Sequence, residues 1–212
     1  MKLTVLYPFM EDSFSDDTLK FIDFLSRLQK KHSIDMLITV DKPGRTADAL
    51  RKANLSYEEV AFASPVGSRD FYLTVLFKLI RSALFSFFYF KSHQINITHC
   101  PDVSSLLCWG NTSKMNRVPF VTSIQKSEKF SRYASLMLVD SKKIVCRDEE
   151  IRGKLPRRLS STALLAPEAQ NIPENQNKET SQKNAIDFWI DLYASLFIKP
   201  DLSKITGILN KN

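Results

Sequence analysis

Residues 95–124 read INITHCPDVSSLLCWGNTSKMNRVPFVTSI. Ile95–His99 and Val118–Ile124 are short apolar runs that read as strands, and Val103–Lys114 between them reads as a helix. Pro101-Asp102 stands at the joint, where Asp102 suits the N-cap of that helix. Strand, crossover helix and second apolar strand form a right-handed βαβ unit, with parallel strands covered on both faces.

The same alternation runs outward in both directions. Upstream, Leu3–Tyr7 is a strand bounded by Pro8. Ser15–Lys31 carries a helical stripe at Leu19, Ile22, Phe24, Leu25 and Leu28, and its basic end suits the helix dipole. Ile34–Val40 is a second strand, Asp41–Gly44 a turn, Thr46–Ala53 a short helix and Tyr57–Phe62 a third strand. A long apolar helix is expected over about 70–91. Downstream, Glu128–Ala134 reads as a short helix and Leu136–Val139 as a strand. Lys142–Leu155 reads as a helix and Thr162–Leu165 as a last strand. The expected fold class is α/β: a Rossmann-like, mostly parallel sheet with helices on both faces, closed by a returning C-terminal helix. The expected units are a domain over 1–170, a polar linker over 171–184, a docking helix over 185–198 and a tail over 199–212. The helix repeats apolar residues at Ala185, Phe188, Trp189, Leu192, Tyr193 and Leu196, a stripe that needs a surface to bury against.

Composition sets the frame. Of 212 residues, 43% are hydrophobic and 25% charged, the balance of a soluble globular protein with room for one full α/β domain. The net charge of +7, from 30 Lys+Arg against 23 Asp+Glu, favours anionic partners: nucleic acid, an acidic membrane surface, or a phosphorylated glycan or lipid. Nucleic acid is the weakest of these, because the basic residues are scattered and no binding motif accompanies them. Three cysteines without a Cys-x-x-Cys pair exclude a disulfide framework or zinc ribbon and read as reduced, buried thiols. Met1 runs directly into the first strand, so no signal peptide is read. Walker, Gly-x-Gly-x-x-Gly, His-Glu-x-x-His and Gly-x-Ser-x-Gly patterns are absent, and neither metal nor cofactor is expected.

Four segments carry a family resemblance. Ile95–Leu107 (INITHCPDVSSLL) resembles the Asp-Ile-Val-His-Thr-His strand and following helix of family-four, GT-B fold glycosyltransferases. Val118–Lys126 (VPFVTSIQK) resembles that family's Val-Pro-Val-Val-Tyr-Thr-Val-His-Gly strand. Arg132–Ile144 (RYASLMLVDSKKI) resembles its Ala-Asp-Arg-Val-Ile-Ala-Val-Ser-Glu segment, with Ser141 at the serine. Thr162–Ala169 (TALLAPEA) stands where the family has Val-Ile-Pro-Asn-Gly. The final helix, with Trp189 and Tyr193, resembles the one that crosses back onto the acceptor domain. The resemblance is thus to the N-terminal, acceptor-side domain, with the donor-binding domain missing.

The departures bear on chemistry. The family's first loop is usually glycine-rich, letting backbone approach the donor phosphates. Here Pro8–Phe14 holds no glycine and two carboxylates, Glu11 and Asp12. His99 falls on the first His of the family's His-x-His pair and Pro101 on the second. Gln125 replaces a histidine, and Lys126 a glycine.

In a parallel sheet, ligands bind beyond the carboxyl ends of the strands. The acceptor or phosphate rim expected there comprises Glu11, Asp12, Asp102, Gln125, Lys126 and Ser141. His99 stands open between an acceptor-side base, a polar contact in the interdomain cleft and a capped histidine at a strand end. Ser141 stands open between a helix cap and a phosphate contact.

The run Phe71–Phe90 (FYLTVLFKLIRSALFSFFYF) has spanning length, but Lys78 and Arg81 interrupt it. Thr74, Lys78, Arg81, Ser82 and Ser86 form one narrow polar stripe on a helical wheel. The surplus of Phe85, Phe87, Phe88 and Tyr89 leaves two readings: core packing, or an exposed patch for a membrane or partner. Lys78, Arg81, Phe85, Phe87 and Phe88 would form that patch.

The resemblance implies sugar transfer from a nucleotide sugar to a membrane-associated glycan such as a lipopolysaccharide core, with a partner supplying the donor domain. The alternative is a degenerate, non-catalytic domain that binds glycan, membrane or protein. Expected partners are a glycan or lipid-linked acceptor, an anionic membrane surface and a transferase subunit. The expected setting is the cytoplasm, including a peripheral position at the inner face of the membrane.

Overall fold

The computed structural model describes residues 3–11, 14–30, 34–60, 84–125, 132–166 and 178–197. The strands are β1 (Leu3–Phe9), β2 (Ile34–Val40), β3 (Glu58–Glu59), β4 (Ile97–Cys100), β5 (Phe120–Ile124), β6 (Lys143–Cys146) and β7 (Leu164–Leu165). They form one sheet in the order β3-β2-β1-β4-β5-β6-β7, parallel throughout. The order turns outward in both directions from the β1–β4 pair, the topological switch point of a doubly wound sheet.

The pleat divides the core in two. On β1, Val5, Tyr7 and Phe9 face one side and Leu6 the other. The first side is covered by α1 (Asp16–Gln29), α2 (Arg45–Lys52) and α9 (Lys178–Phe197). The second takes the helix at 84–92, here α3, the helical segment 103–115, α6 (Arg132–Asp140), α7 (Glu149–Lys154) and α8 (Arg157–Ser160).

Segment 103–115 is not one regular helix. α4 (Val103–Ser105) passes into a π-helical turn (Leu106–Gly110) and then α5 (Asn111–Met115). A Cβ on Gly110 would come within 2.9 Å of Leu106 Cδ1, so glycine lets the widened turn close on its own core leucine.

The chain's end docks as its stripe requires. Ala185, Ile186, Trp189, Leu192 and Tyr193 of α9 are buried against α1 and β4. At roughly 1.5–3 kcal/mol per large side chain, Trp189 and Leu192 alone give the helix several kcal/mol of attachment. The helix begins at Lys178, upstream of the expected Ala185.

Two further elements differ in type from the sequence expectation. The strand read at Leu136–Val139 lies within α6. Ala134, Met137 and Leu138 are buried at helical spacing, while Leu136 and Val139 are half exposed or more; a short apolar run does not show its period by itself. The helix read from Lys142 begins instead with β6, pairing Val121↔Lys143 through Ile124↔Cys146. Only then does Asp148 cap α7, its Oδ1 accepting from the Ile151 amide at 2.8 Å. Of the helix expected over 70–91, residues 70–83 lie outside the described residues.

Candidate functional site

The carboxyl ends of β1, β4 and β5 open into a cleft of about 240 Å³. Phe9 closes β1, and the chain then passes through Phe14 and Ser15 into α1. Ser15 stands at the N-cap of that helix, its amide donating to Thr18 Oγ1 at 3.1 Å. Capping at this point turns the first helical turn, with Asp17 and Thr18, toward the cleft, and Phe21 supplies an aromatic wall one turn on. Pro101–Ser104 and Ser123–Gln125 line the opposite side.

Among the described residues, no lysine or arginine lines the cleft, and the charged lining residues are Asp17 and Asp102. Cations stand beside the lining: Arg147 Nη1 lies 3.6 Å and Lys20 Nζ 3.7 Å from Asp17 Oδ1, and the Arg45 guanidinium sits 4.8 Å over the Phe14 ring. Phe9, Phe14 and Phe21 give flat apolar walls, with hydroxyls of Ser15, Thr18, Ser104 and Ser123 beside them. Such a lining suits a small hydroxylated ring without negative charge.

The structure brings some of the predicted rim together. Asp102 and Gln125 line the cleft. Asp102 is also a working cap: its Oδ1 accepts from the Ser105 amide at 2.7 Å and the Ser105 hydroxyl at 2.9 Å. Glu11 turns away. Its carboxylate accepts from the Arg45 amide at 2.7 Å and the Thr46 amide at 2.8 Å, occupying the N-terminus of α2. Burial opposes its ionisation, but these bonds and the Arg45 charge outweigh it and lower its pKa. Ser141 stands at the amino end of β6, away from the cleft, its hydroxyl donating to Lys143 O at 2.8 Å. The reason is the shifted element boundary: the serine precedes a strand, so it caps no helix. Asp12 and Lys126 lie outside the described residues, as do Lys78 and Arg81.

His99 is fully buried. Its Nδ1 lies 2.5 Å from the Tyr193 hydroxyl and its Nε2 2.6 Å from Ser123 Oγ. Trp189 stacks on the ring at 4.6 Å, and Phe21 meets it edge-on at 5.0 Å. Burial pushes the imidazole from its ordinary 6.5 down to about 3, so the ring is neutral at physiological pH. Burial likewise raises the three thiols, Cys108 to about 12 and Cys146 to about 11, which leaves them unreactive at neutral pH.

Cleft residues that sequence reasoning passed over include Asp17, Thr18, Phe21 and Ser123. A signal existed for most of them. A helix that follows the first strand of a parallel sheet starts at the carboxyl edge, so its first turn faces the ligand side. Ser123 lies two residues from buried Val121 and thus on the same face of β5.

A second surface lies on α3. Phe85, Phe87 and Phe88 are 50%, 51% and 67% exposed, with Leu84 at 60%. Lys91 Nζ lies 5.9 Å from the Phe87 ring centre. The helix is anchored from behind by Tyr89, whose hydroxyl donates to Glu58 at 2.8 Å. Among the described residues, no helix is long and apolar enough to cross a membrane.

No protein-family model and no curated protein sequence matches the chain. Solved structures match its fold. A glycosyltransferase from Rickettsia africae ESF-5 superposes with a TM-score of 0.58 at 15% identity, covering 89% of this chain and 50% of that one. MurG from Acinetobacter baumannii gives 0.57 at 10%, covering 78% and 45%. A UDP-GlcNAc 2-epimerase from Methanocaldococcus jannaschii gives 0.53 at 12%, covering 78% and 45%. The chain has the Rossmann-like fold of the acceptor-side domain of GT-B glycosyltransferases and spans about half the length of the structures it matches. Transferases and an epimerase share this fold, so the fold alone does not choose a reaction.

Proposed function

We propose that this domain holds the acceptor in a GT-B type sugar transfer, with the nucleotide sugar bound by a second domain. The observation that carries the reading is the cleft: aromatic walls, neutral hydroxyls and two carboxylates, at the carboxyl edge of β1, β4 and β5. In such a transfer an acceptor hydroxyl attacks the anomeric carbon and a nucleoside diphosphate leaves. The leaving group needs cations or open helix N-termini. Among the described residues no cation lines the cleft, and Glu11 fills the N-terminus of α2; both favour the acceptor side for this domain. Asp17 and Asp102 are the cleft groups able to take the acceptor's proton. His99 is neutral and reaches the cleft only through Ser123. The acceptor class we favour is a glycan, including one linked to a membrane lipid.

The second reading is a binding module without catalysis. It is favoured by the same filled helix N-terminus and by a first loop without glycine. Calorimetry on the isolated chain separates these ideas. Saccharide binding with no response to nucleotide sugars at millimolar concentration supports an acceptor-side domain. Tight nucleotide-sugar binding would contradict it. Restored transfer on adding a separate donor domain distinguishes catalysis from plain binding.

The apolar face of α3, with Lys91 beside it, is assigned to the surface of an anionic membrane, giving a peripheral position. Flotation with vesicles containing phosphatidylglycerol tests this. Phe87→Ser with Phe88→Ser should abolish binding, and equal flotation of both chains would remove the assignment.

A further inference from the structure

The mechanism above uses none of the buried polar chain behind the cleft, yet that chain is continuous. Ser123 lies on the cleft floor, His99 behind it, and Tyr193 of α9 behind His99, with heavy-atom spacings of 2.6 and 2.5 Å. Ser123 is 1% exposed, and His99 and Tyr193 are fully buried, so no solvent competes for these bonds. Trp189, also from α9, stacks on the imidazole and fixes its plane.

We infer that Ser123 contacts the ligand in the cleft, and that His99 and Tyr193 are positioning residues that set the direction of its hydroxyl. The inference rests on the cleft reading above. A neutral imidazole carries one N–H and one lone pair. If Tyr193 donates to Nδ1, then Nε2–H donates to Ser123, and the serine proton is free to point at a ligand oxygen. If Nδ1–H donates to Tyr193, Ser123 must donate to Nε2, and only its lone pairs face the ligand. The tautomer therefore decides whether the cleft floor offers a donor or an acceptor. Because Tyr193 belongs to α9, docking of that helix becomes part of the site's recognition rather than only of its stability.

The test uses the full chain labelled with ¹⁵N. The three histidines are resolved in a long-range ¹H–¹⁵N spectrum, and His99→Gln assigns the resonance. Glucose and N-acetylglucosamine are then titrated in millimolar excess. The expected result is that the His99 Nε2 signal moves along the same saturation curve as the Gln125 amide, although the ring touches no ligand. Ser123→Ala should remove that response and weaken binding roughly two- to tenfold, the scale of one hydrogen bond. Tyr193→Phe should shift Nδ1 in the free protein and weaken binding by a similar factor. If Gln125 responds while His99 stays still, or if both variants bind as the parent does, the inference is overturned and the cleft reading stands. If neither signal responds to any saccharide, the cleft reading fails and takes the inference with it. Should Tyr193→Phe not fold, the parent titration and Ser123→Ala decide the matter.

Discussion

Burial gives His99 a consequence for pH. Above its ordinary value of 6.5 the ring is neutral in both the folded and the unfolded chain. Below it, the unfolded chain takes up a proton that the folded chain refuses until about pH 3. Stability should therefore fall as pH falls through this window, by up to about 1.4 kcal/mol per pH unit. Denaturant unfolding between pH 6.5 and about 5, where carboxylates hardly titrate, checks this; His99→Gln should flatten the slope. Glu11 gives a second test. Its carboxylate caps α2, and Glu11→Ala should cost about 0.5–2 kcal/mol, the range for a lost helix cap. A methyl at Gly44 would overlap the Glu11 carboxyl, so Gly44→Ala should expel the cap and cost a similar amount. The double variant should lose less than the sum, since one interaction is removed twice; urea midpoints of the three chains measure it.

Elements follow the same logic at longer range. α9 is held by one stripe whose centre is Trp189, packed against Phe24, His99 and Tyr193. Trp189→Ala should cost about 3–5 kcal/mol, and faster proteolysis near the C-terminus should accompany the lower melting temperature. Where hydrophobic period and caps agreed, the elements were readable in advance: β2 is Ile34–Val40 as expected, and Asp102 caps as its place after Pro101 suggested. Leu136–Val139 failed because four apolar residues fit either period. Its helical identity comes from neighbours: α6 packs on the π-helical turn, and β5 already has β6 as its strand partner. That failure carried Ser141 away from the predicted rim.

At the scale of the whole molecule, the chain is basic, while the described lining of the cleft is acidic and neutral. Saccharide binding should then change less than about twofold between low and high salt, whereas vesicle flotation should fall steeply, because only exposed charge is screened over a Debye length. Parallel isotherms and flotation assays at two salt concentrations measure both. The sequence by itself determined the parallel α/β class and a final helix that must dock. These rest on local periodicity and on chain handedness, which are written in neighbouring residues. Only the tertiary structure decided that the Glu11 carboxylate caps α2, and that Asp17 and Thr18 line the cleft. It alone joined Ser123, His99 and Tyr193, residues far apart in the chain, into one buried polar line. Such contacts depend on which elements become neighbours across the sheet, and no local pattern encodes that distance.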